Sequence, residues 1–276
     1  TVVRVNDRIT QMFERTRAEG RPALIAFVPS GWPEPDATPE IVHALLEGGA
    51  DAVELGVPFS DPLADGVTNQ TAYQQALNAG VTQDDVLTTI HQLRDEHVSA
   101  PLLLMGYFNP MLASGITSFT QATADAGADG LIVVDLPVEE ADELANPARA
   151  LGLDLIYLLA PTSTKARIAS VAERGSGFVY CVSVTGVTGA RTHLPEELPD
   201  FIARVRQQIK IPLAVGFGIA EREHVEEVGK VADAAIVGSA IVRTIAEAPK
   251  AHRAETIRNL MHRLSGQNKD RMVNIR

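Results

Sequence analysis

Two acidic residues stand out by their surroundings. Glu54 sits between Val53 and Leu55 in the apolar run Ala52–Val57. In a strand, alternate side chains take opposite faces, so Val53 and Leu55 share one face and Glu54 takes the other. An ionised carboxylate without a partner is costly in an apolar interior and tends to keep its proton. A carboxyl group still protonated near pH 7 can give that proton away, which makes Glu54 a candidate general acid. The competing reading is structural, an interior ion pair or a protonated, hydrogen-bonded Glu. Asp61 and Asp65 follow in the loop Pro58-Phe59-Ser60-Asp61-Pro62-Leu63-Ala64-Asp65-Gly66. Asp135 closes a later apolar run and Tyr180 lies inside another. Each has an ordinary alternative. A loop Asp before Gly is a common turn former, and a buried Tyr can fill space with its hydroxyl paired.

A second kind of chemistry is written near the end of the chain. Gly216-Phe217-Gly218 closes one apolar run, and Gly238-Ser239-Ala240-Ile241-Val242 closes the next. Glycine lets a backbone approach a ligand closely, and a helix start offers N–H groups to an anion. The two motifs together predict a phosphate site; ordinary tight turns are the alternative. Thr185–Thr192 is rich in Gly and small polar residues. It suits either a mobile lid or a passive solvated loop.

The elements that must position these residues can be read from hydrophobic pattern. Strands are expected near Ala23–Val28, Ala52–Val57, Pro101–Tyr107, Gly130–Asp135, Leu153–Leu159, Gly177–Ser183, Leu213–Phe217 and Ala234–Val237. Most are apolar on both faces, as in a parallel sheet covered on each side. None contains Lys or Arg, which weakens an ion-pair role for Glu54. Helices are expected between them. One starts at Thr38 as its cap with Pro39 first, shows Ile41, Ala44 and Leu45 on one face, and ends at Gly48-Gly49. A second shows Ile116, Phe119, Thr123 and Ala126, and a third starts at Asn146-Pro147. A weak repeat recurs before three strands, as Gly49-Ala50-Asp51, Gly127-Ala128-Asp129 and Ala232-Asp233. Eight βα units predict one (β/α)8 TIM barrel domain over 1–276, with an extra N-terminal helix (Arg4–Ala18) and a short phosphate-binding helix after strand 8. Ala251–Leu264 would close it, and the polar tail from about 265 would fray. The repeated Asp would then lie at the barrel bottom, where structural roles prevail, and the active site at the C-terminal ends of the strands.

Composition narrows the partners. The chain has 276 residues, is 45% hydrophobic and carries a formal net charge of −11. Its basic residues are scattered, which argues against nucleic acid or a membrane surface. The seven histidines show no ligand spacing, so no metal site is expected. A single cysteine, Cys181, and the lack of a visible signal peptide or spanning segment predict a cytoplasmic setting. A Schiff-base aldolase would need an interior lysine. The residues alone leave open other phosphate-binding barrel lyases or isomerases of amino-acid biosynthesis, or a non-catalytic activating subunit.

The run Val53-Glu54-Leu55-Gly56-Val57-Pro58-Phe59-Ser60-Asp61-Pro62-Leu63-Ala64-Asp65-Gly66 resembles the signature of tryptophan synthase α subunits. Pro137-Val138-Glu139-Glu140, Gly186-Val187-Thr188-Gly189, Gly216-Phe217-Gly218-Ile219 and Gly238-Ser239-Ala240-Ile241-Val242 are similar to that family's motifs, in the same order. The resemblance implies a lyase that splits indole-3-glycerol phosphate into indole and glyceraldehyde 3-phosphate. It places the catalytic carboxyls on Glu54 and Asp65, the supporting tyrosine on Tyr180, and phosphate binding on Gly189, Gly218, Gly238 and Ser239. The indole pocket would include Phe27, Tyr107 and Ile132. It implies no cofactor in this chain, and a pyridoxal-phosphate (PLP) β subunit as partner in an αββα complex. Asp61, Pro62, Asn109 and Pro137 would face that partner. Val184 departs from the family pattern, where some members carry a charged residue.

Overall fold

The computed structural model describes residues 7–182, 195–216 and 218–266. Eight strands follow one another around a closed barrel, each parallel to both neighbours. They are β1 (Ala23–Pro29), β2 (Ala52–Gly56), β3 (Leu102–Gly106), β4 (Gly130–Val133), β5 (Asp154–Leu159), β6 (Val179–Val182), β7 (Leu213–Gly216) and β8 (Ala234–Val237). The predicted strands are all present, most of them trimmed by a residue or two at the ends. The outer ring contains α2 (Thr38–Glu47), α3 (Val67–Asn78), α4 (Gln83–Asp95), α5 (Phe108–Ala113), α6 (Ile116–Ala126), α7 (Asp142–Ala150), α8 (Lys165–Arg174), α9 (Leu198–Arg206), α10 (Arg222–Gly229), α11 (Ser239–Glu247) and α12 (Arg253–Ser265). Among the described residues no helix is long and apolar enough to cross a membrane.

The first helix, α1 (Asp7–Ala18), plugs the barrel bottom. Its Ile9, Met12 and Phe13 are buried against inward-facing Ile25, Leu103, Ile156 and Phe178. The rings of Phe13 and Phe178 are 5.9 Å apart at 60°, a tilted contact. Full burial of each such side chain contributes roughly 1.5–3 kcal/mol. Val53 and Leu55 face the surrounding helices in the larger cluster, while Ala52 belongs to the interior one.

The repeated Asp is a bottom brace. Each Asp precedes one strand and ties down the strand before it. Asp51 accepts from the backbone N–H of Leu24 at 2.8 Å, Asp129 from Leu102 at 2.7 Å, and Asp233 from Leu213 at 2.8 Å. Arginines complete each site. Arg21 and Arg15 donate to Asp51, Arg94 and Arg8 to Asp129, and Arg206 to Asp233.

Two expected helix starts are corrected. The cap of α2 is Ala37, with no side-chain cap bond. The Thr38 hydroxyl instead accepts from the Gly31 N–H at 2.8 Å, which fastens the loop after β1. Pro147 does not open a helix but lies inside α7, which begins at Asp142 after the 3-10 turn Val138–Glu140. Pro147 removes a bond to the carbonyl of exposed Glu143, while Leu144, Ala145 and Ala148 stay buried. Apolar burial therefore sets this helix against the local preference of proline.

Candidate active site

The C-terminal ends of the strands surround a cavity of about 780 Å³. Apolar Phe27, Met105, Leu158 and Ile236 line it together with Asp65, Tyr180, Gly218, Gly238 and Ser239. Such a mix of apolar wall and few converging polar groups is the usual form of a small-molecule site.

Glu54 projects to the barrel interior from β2, between Phe27 of β1 and Leu103 of β3 in register. It is fully buried, and neither carboxyl oxygen has a hydrogen-bond partner among the described residues. Burial alone pushes its pKa up to about 8. Glu54 is therefore protonated at neutral pH and keeps a proton that no neighbour claims. Glu54 is not itself in the cavity lining, but its register neighbour Phe27 is. Two phenols share its electrostatic neighbourhood. Tyr73 of α3 and Tyr180 of β6 are both pushed well above the usual phenol range, first by burial and then by the charges of Asp65 and Glu54. A Cβ at Gly216 would overlap the Tyr180 ring, so that glycine makes room for the phenol.

Asp65 precedes α3 and is held from several directions. The Tyr107 hydroxyl donates to Oδ2 at 2.6 Å, and Asn69 Nδ2 donates to Oδ1 at 3.0 Å. The Tyr107 oxygen accepts in turn from the Ala64 N–H at 3.1 Å. Gln70 Nε2 donates to the Asp65 carbonyl at 2.8 Å. Burial raises the acid's pKa, and the Tyr107 and Asn69 bonds oppose that rise. A carboxylate with two donors already in place remains able to accept another on its free lone pairs.

After β8, two strands round the barrel from β2, Gly238 is the cap of α11 and Ser239 its first residue; the cap has no side-chain hydrogen bond. The first N–H groups of a helix have no intrahelical acceptor, so this end can receive an anion. Gly218 takes φ 40°, in the region that favours glycine, and faces the same space. Gly189, Val184 and the loop Thr185–Thr192 lie outside the described residues.

The other predicted site residues separate by position. Phe27, Asp135 and Pro137 line the cavity. Tyr107 is buried and works through its hydroxyl on Asp65 and Ala64, its ring 5.0 Å from that of Phe59. Ile132 is fully buried in the interior cluster and is not in the cavity lining. Asp135 lies beyond the end of β4, is exposed, and accepts the Phe108 N–H that starts α5. Asp61 and Asn109 are exposed, Pro62 is buried and Pro137 half-buried. Sequence reasoning missed Tyr73 and Asn69. The spacing of Asn69, four residues after Asp65 at a helix start, was a usable signal for one of them.

A closed parallel barrel whose strand ends enclose a cavity, with a buried neutral acid, a braced carboxyl and a free helix N-terminus beside it, has the form of a (β/α)8 enzyme. The comparisons give the family within that class. The pattern described as "Tryptophan synthase alpha chain" matches residues 13–272. The chain is 51% identical over 246 residues to the tryptophan synthase alpha chain of Chloroflexus aurantiacus, covering 89% of this chain and 92% of that one. It is 45% identical to that of Azoarcus sp. over 259 residues, 94% of each. A crystal structure of tryptophan synthase subunit alpha from Legionella pneumophila superposes with TM-score 0.87 at 36% identity, covering 94% of this chain and 97% of the other. A structure of Mycobacterium tuberculosis tryptophan synthase gives TM-score 0.86 at 36% identity, with the same coverage. The chain belongs to the tryptophan synthase alpha chain family.

Proposed function

We propose that the cavity holds indole-3-glycerol phosphate and that Glu54 and Asp65 divide the proton handling of its cleavage to indole and glyceraldehyde 3-phosphate. The lyase activity is the family's own. The observation that carries the division is the contrast between the two acids: Glu54 has no partner, while Asp65 has two donors.

The bond from the glycerol chain to indole C3 breaks poorly while the ring is aromatic. Protonation at C3 turns the ring into an electron-accepting cation, and cleavage then restores aromaticity. Protonated Glu54 donates to C3. As the aldehyde forms, the Glu54 carboxylate recovers a proton from the glycerol hydroxyl, directly or through water. Asp65 accepts the indole N–H and stabilises the positive charge that develops on the ring. Tyr180, beside both acids, supports the site through its phenol. The phosphate rests on the backbone at Gly218, Gly238 and Ser239, with Gly189 of the loop after β6 as a further contact.

The test is turnover by Glu54→Gln and Asp65→Asn, with folding checked by circular dichroism. Positioned acid–base groups are worth ~10²–10⁴-fold in rate, and losses in that range are expected for each. Near-native turnover by either folded variant would reject its role. For the phosphate, Gly218→Leu is expected to raise KM for the substrate more than it lowers kcat.

Family membership implies a β-subunit partner. We assign that contact to the rim that carries Asp61, Pro62, Asn109 and Pro137, within an αββα assembly in a cytoplasmic setting. The same rim exposes Leu63 (91%), Val67 (76%) and Leu112 (45%), apolar side chains that a covering partner would remove from water. Pyridoxal phosphate is placed in that partner, with no cofactor in this chain.

A further inference from the structure

We propose that Asn69 is a positioning residue for Asp65, retained for its grip on that carboxylate and not for stability. The inference rests on the role given to Asp65 above. Asn69 is the third residue of α3 and lines the cavity. Its amide can face Asp65 in one sense only. An ionised carboxylate accepts and cannot donate, so the Nδ2 group must turn toward Oδ1 of Asp65, at 3.0 Å. That choice strands the other end. Asn69 Oδ1 is buried and has no hydrogen-bond partner among the described residues.

A buried polar atom without a partner destabilises the fold, and an apolar side chain of similar shape would remove that cost. Leucine has nearly the outline of asparagine. Its absence here points to the one bond that the amide does make. That bond, with the Tyr107 hydroxyl on Oδ2, fixes the carboxylate in the plane between two donors. Burial is what works against the charge of Asp65. Tyr73 on α3, Tyr180 on β6 and Glu54 on β2 share its surroundings and are uncharged near neutral pH. Asn69 and Tyr107 are the groups that hold the charged form in place. Without Asn69, Asp65 should both lose its orientation and take up a proton more readily.

The experiment compares Asn69→Leu and Asn69→Asp with the unaltered chain, measuring thermal unfolding and the pH dependence of kcat/KM for indole release. Asn69→Leu is expected to unfold at the same or a higher temperature. Its kcat/KM at neutral pH should fall about tenfold, the scale of one charge-assisted hydrogen bond. The acid limb of its profile should move to higher pH. Asn69→Asp replaces a donor with a second carboxyl and should move that limb further the same way. It also keeps the test alive if the Leu variant does not fold. A native acid limb with kcat/KM within twofold in the folded variants overturns the proposal. The Asp65→Asn background separates the two readings. If Asn69→Leu lowers kcat/KM in the unaltered chain but leaves the residual rate of Asp65→Asn unchanged, the two residues act as one unit. If Asp65→Asn is active, the role of Asp65 fails, and the positioning role falls with it. If Asp65→Asn is inactive while Asn69→Leu alone is native, only the positioning role fails.

Discussion

Asp129 before β4 and Glu54 within β2 are both fully buried carboxyl groups in the same barrel. Asp129 accepts from Arg94 at 2.5 Å, from Arg8 at 2.9 Å and from the Leu102 N–H at 2.7 Å. Glu54 has nothing on either oxygen among the described residues. At the bottom of the barrel Asp51, Asp129 and Asp233 meet guanidinium groups and strand N–H groups, so their charge holds strands together. Glu54 has neither a cation nor a donor among the described residues, so burial keeps it protonated. Burial alone therefore does not make a carboxyl a proton donor. What sets Glu54 apart is the missing partner, because a proton that no neighbour claims can be transferred.

The comparison breaks most directly at Glu54. Glu54→Gln should lower turnover by ~10²–10⁴-fold without lowering the melting temperature, since a neutral amide replaces a neutral acid. Asp129→Ala should do the reverse. Removing the anion strands Arg94 and the Leu102 N–H, at a cost on the order of 3 kcal/mol. The protein that remains folded should keep a near-native kcat. A stable Asp129→Ala chain with crippled turnover would erase the distinction between the poles.

The pH dependence sharpens it. In the unfolded chain Glu54 loses its proton near pH 4.3, the ordinary carboxyl range. In the fold it keeps the proton to about pH 8. Between those values unfolding releases a proton, so rising pH favours the unfolded state. The stability of the native chain relative to Glu54→Gln should therefore fall from about pH 5 to pH 8 and level off above, by at most on the order of 5 kcal/mol. Paired unfolding curves across that range would show it. A flat difference would mean that Glu54 carries its charge in the fold and has an unseen partner. The rate of cleavage should fall over the same upper window as Glu54 loses the proton it donates.

Much of this contrast was legible in the amino-acid sequence. Alternation around Val53 and Leu55 put Glu54 inside, and the Ala-Asp repeat put the braces at the bottom. Both follow from local periodicity, which a strand expresses without help from the rest of the chain. The misread helix starts had a different origin. Thr38 and Pro147 carry strong local preferences, but a tertiary contact with Gly31 claimed the Thr38 hydroxyl, and burial of Leu144 and Ala148 drew α7 through the proline. The hold on Asp65 was equally hidden. Tyr107 lies on a different βα unit from Asp65, and only barrel closure brings its hydroxyl within 2.6 Å. Partnership across units is the kind of information that spacing along one segment does not contain.

The weakest brace gives the finest test. Asp233 makes the same contact as its relatives, accepting the Leu213 N–H and the Arg206 guanidinium. Its side chain is 24% exposed, against 4% for Asp51 and none for Asp129. Arg206 is itself 37% exposed, so water can replace part of what the pair provides. Asp233→Ala should then cost about 1 kcal/mol, the scale of one ordinary hydrogen bond. That is well under the loss expected at Asp129. The order of the two losses in denaturant melts matters more than either size. If Asp233→Ala were the more damaging, the braces would act through the order in which strands close and not through the burial of their charge.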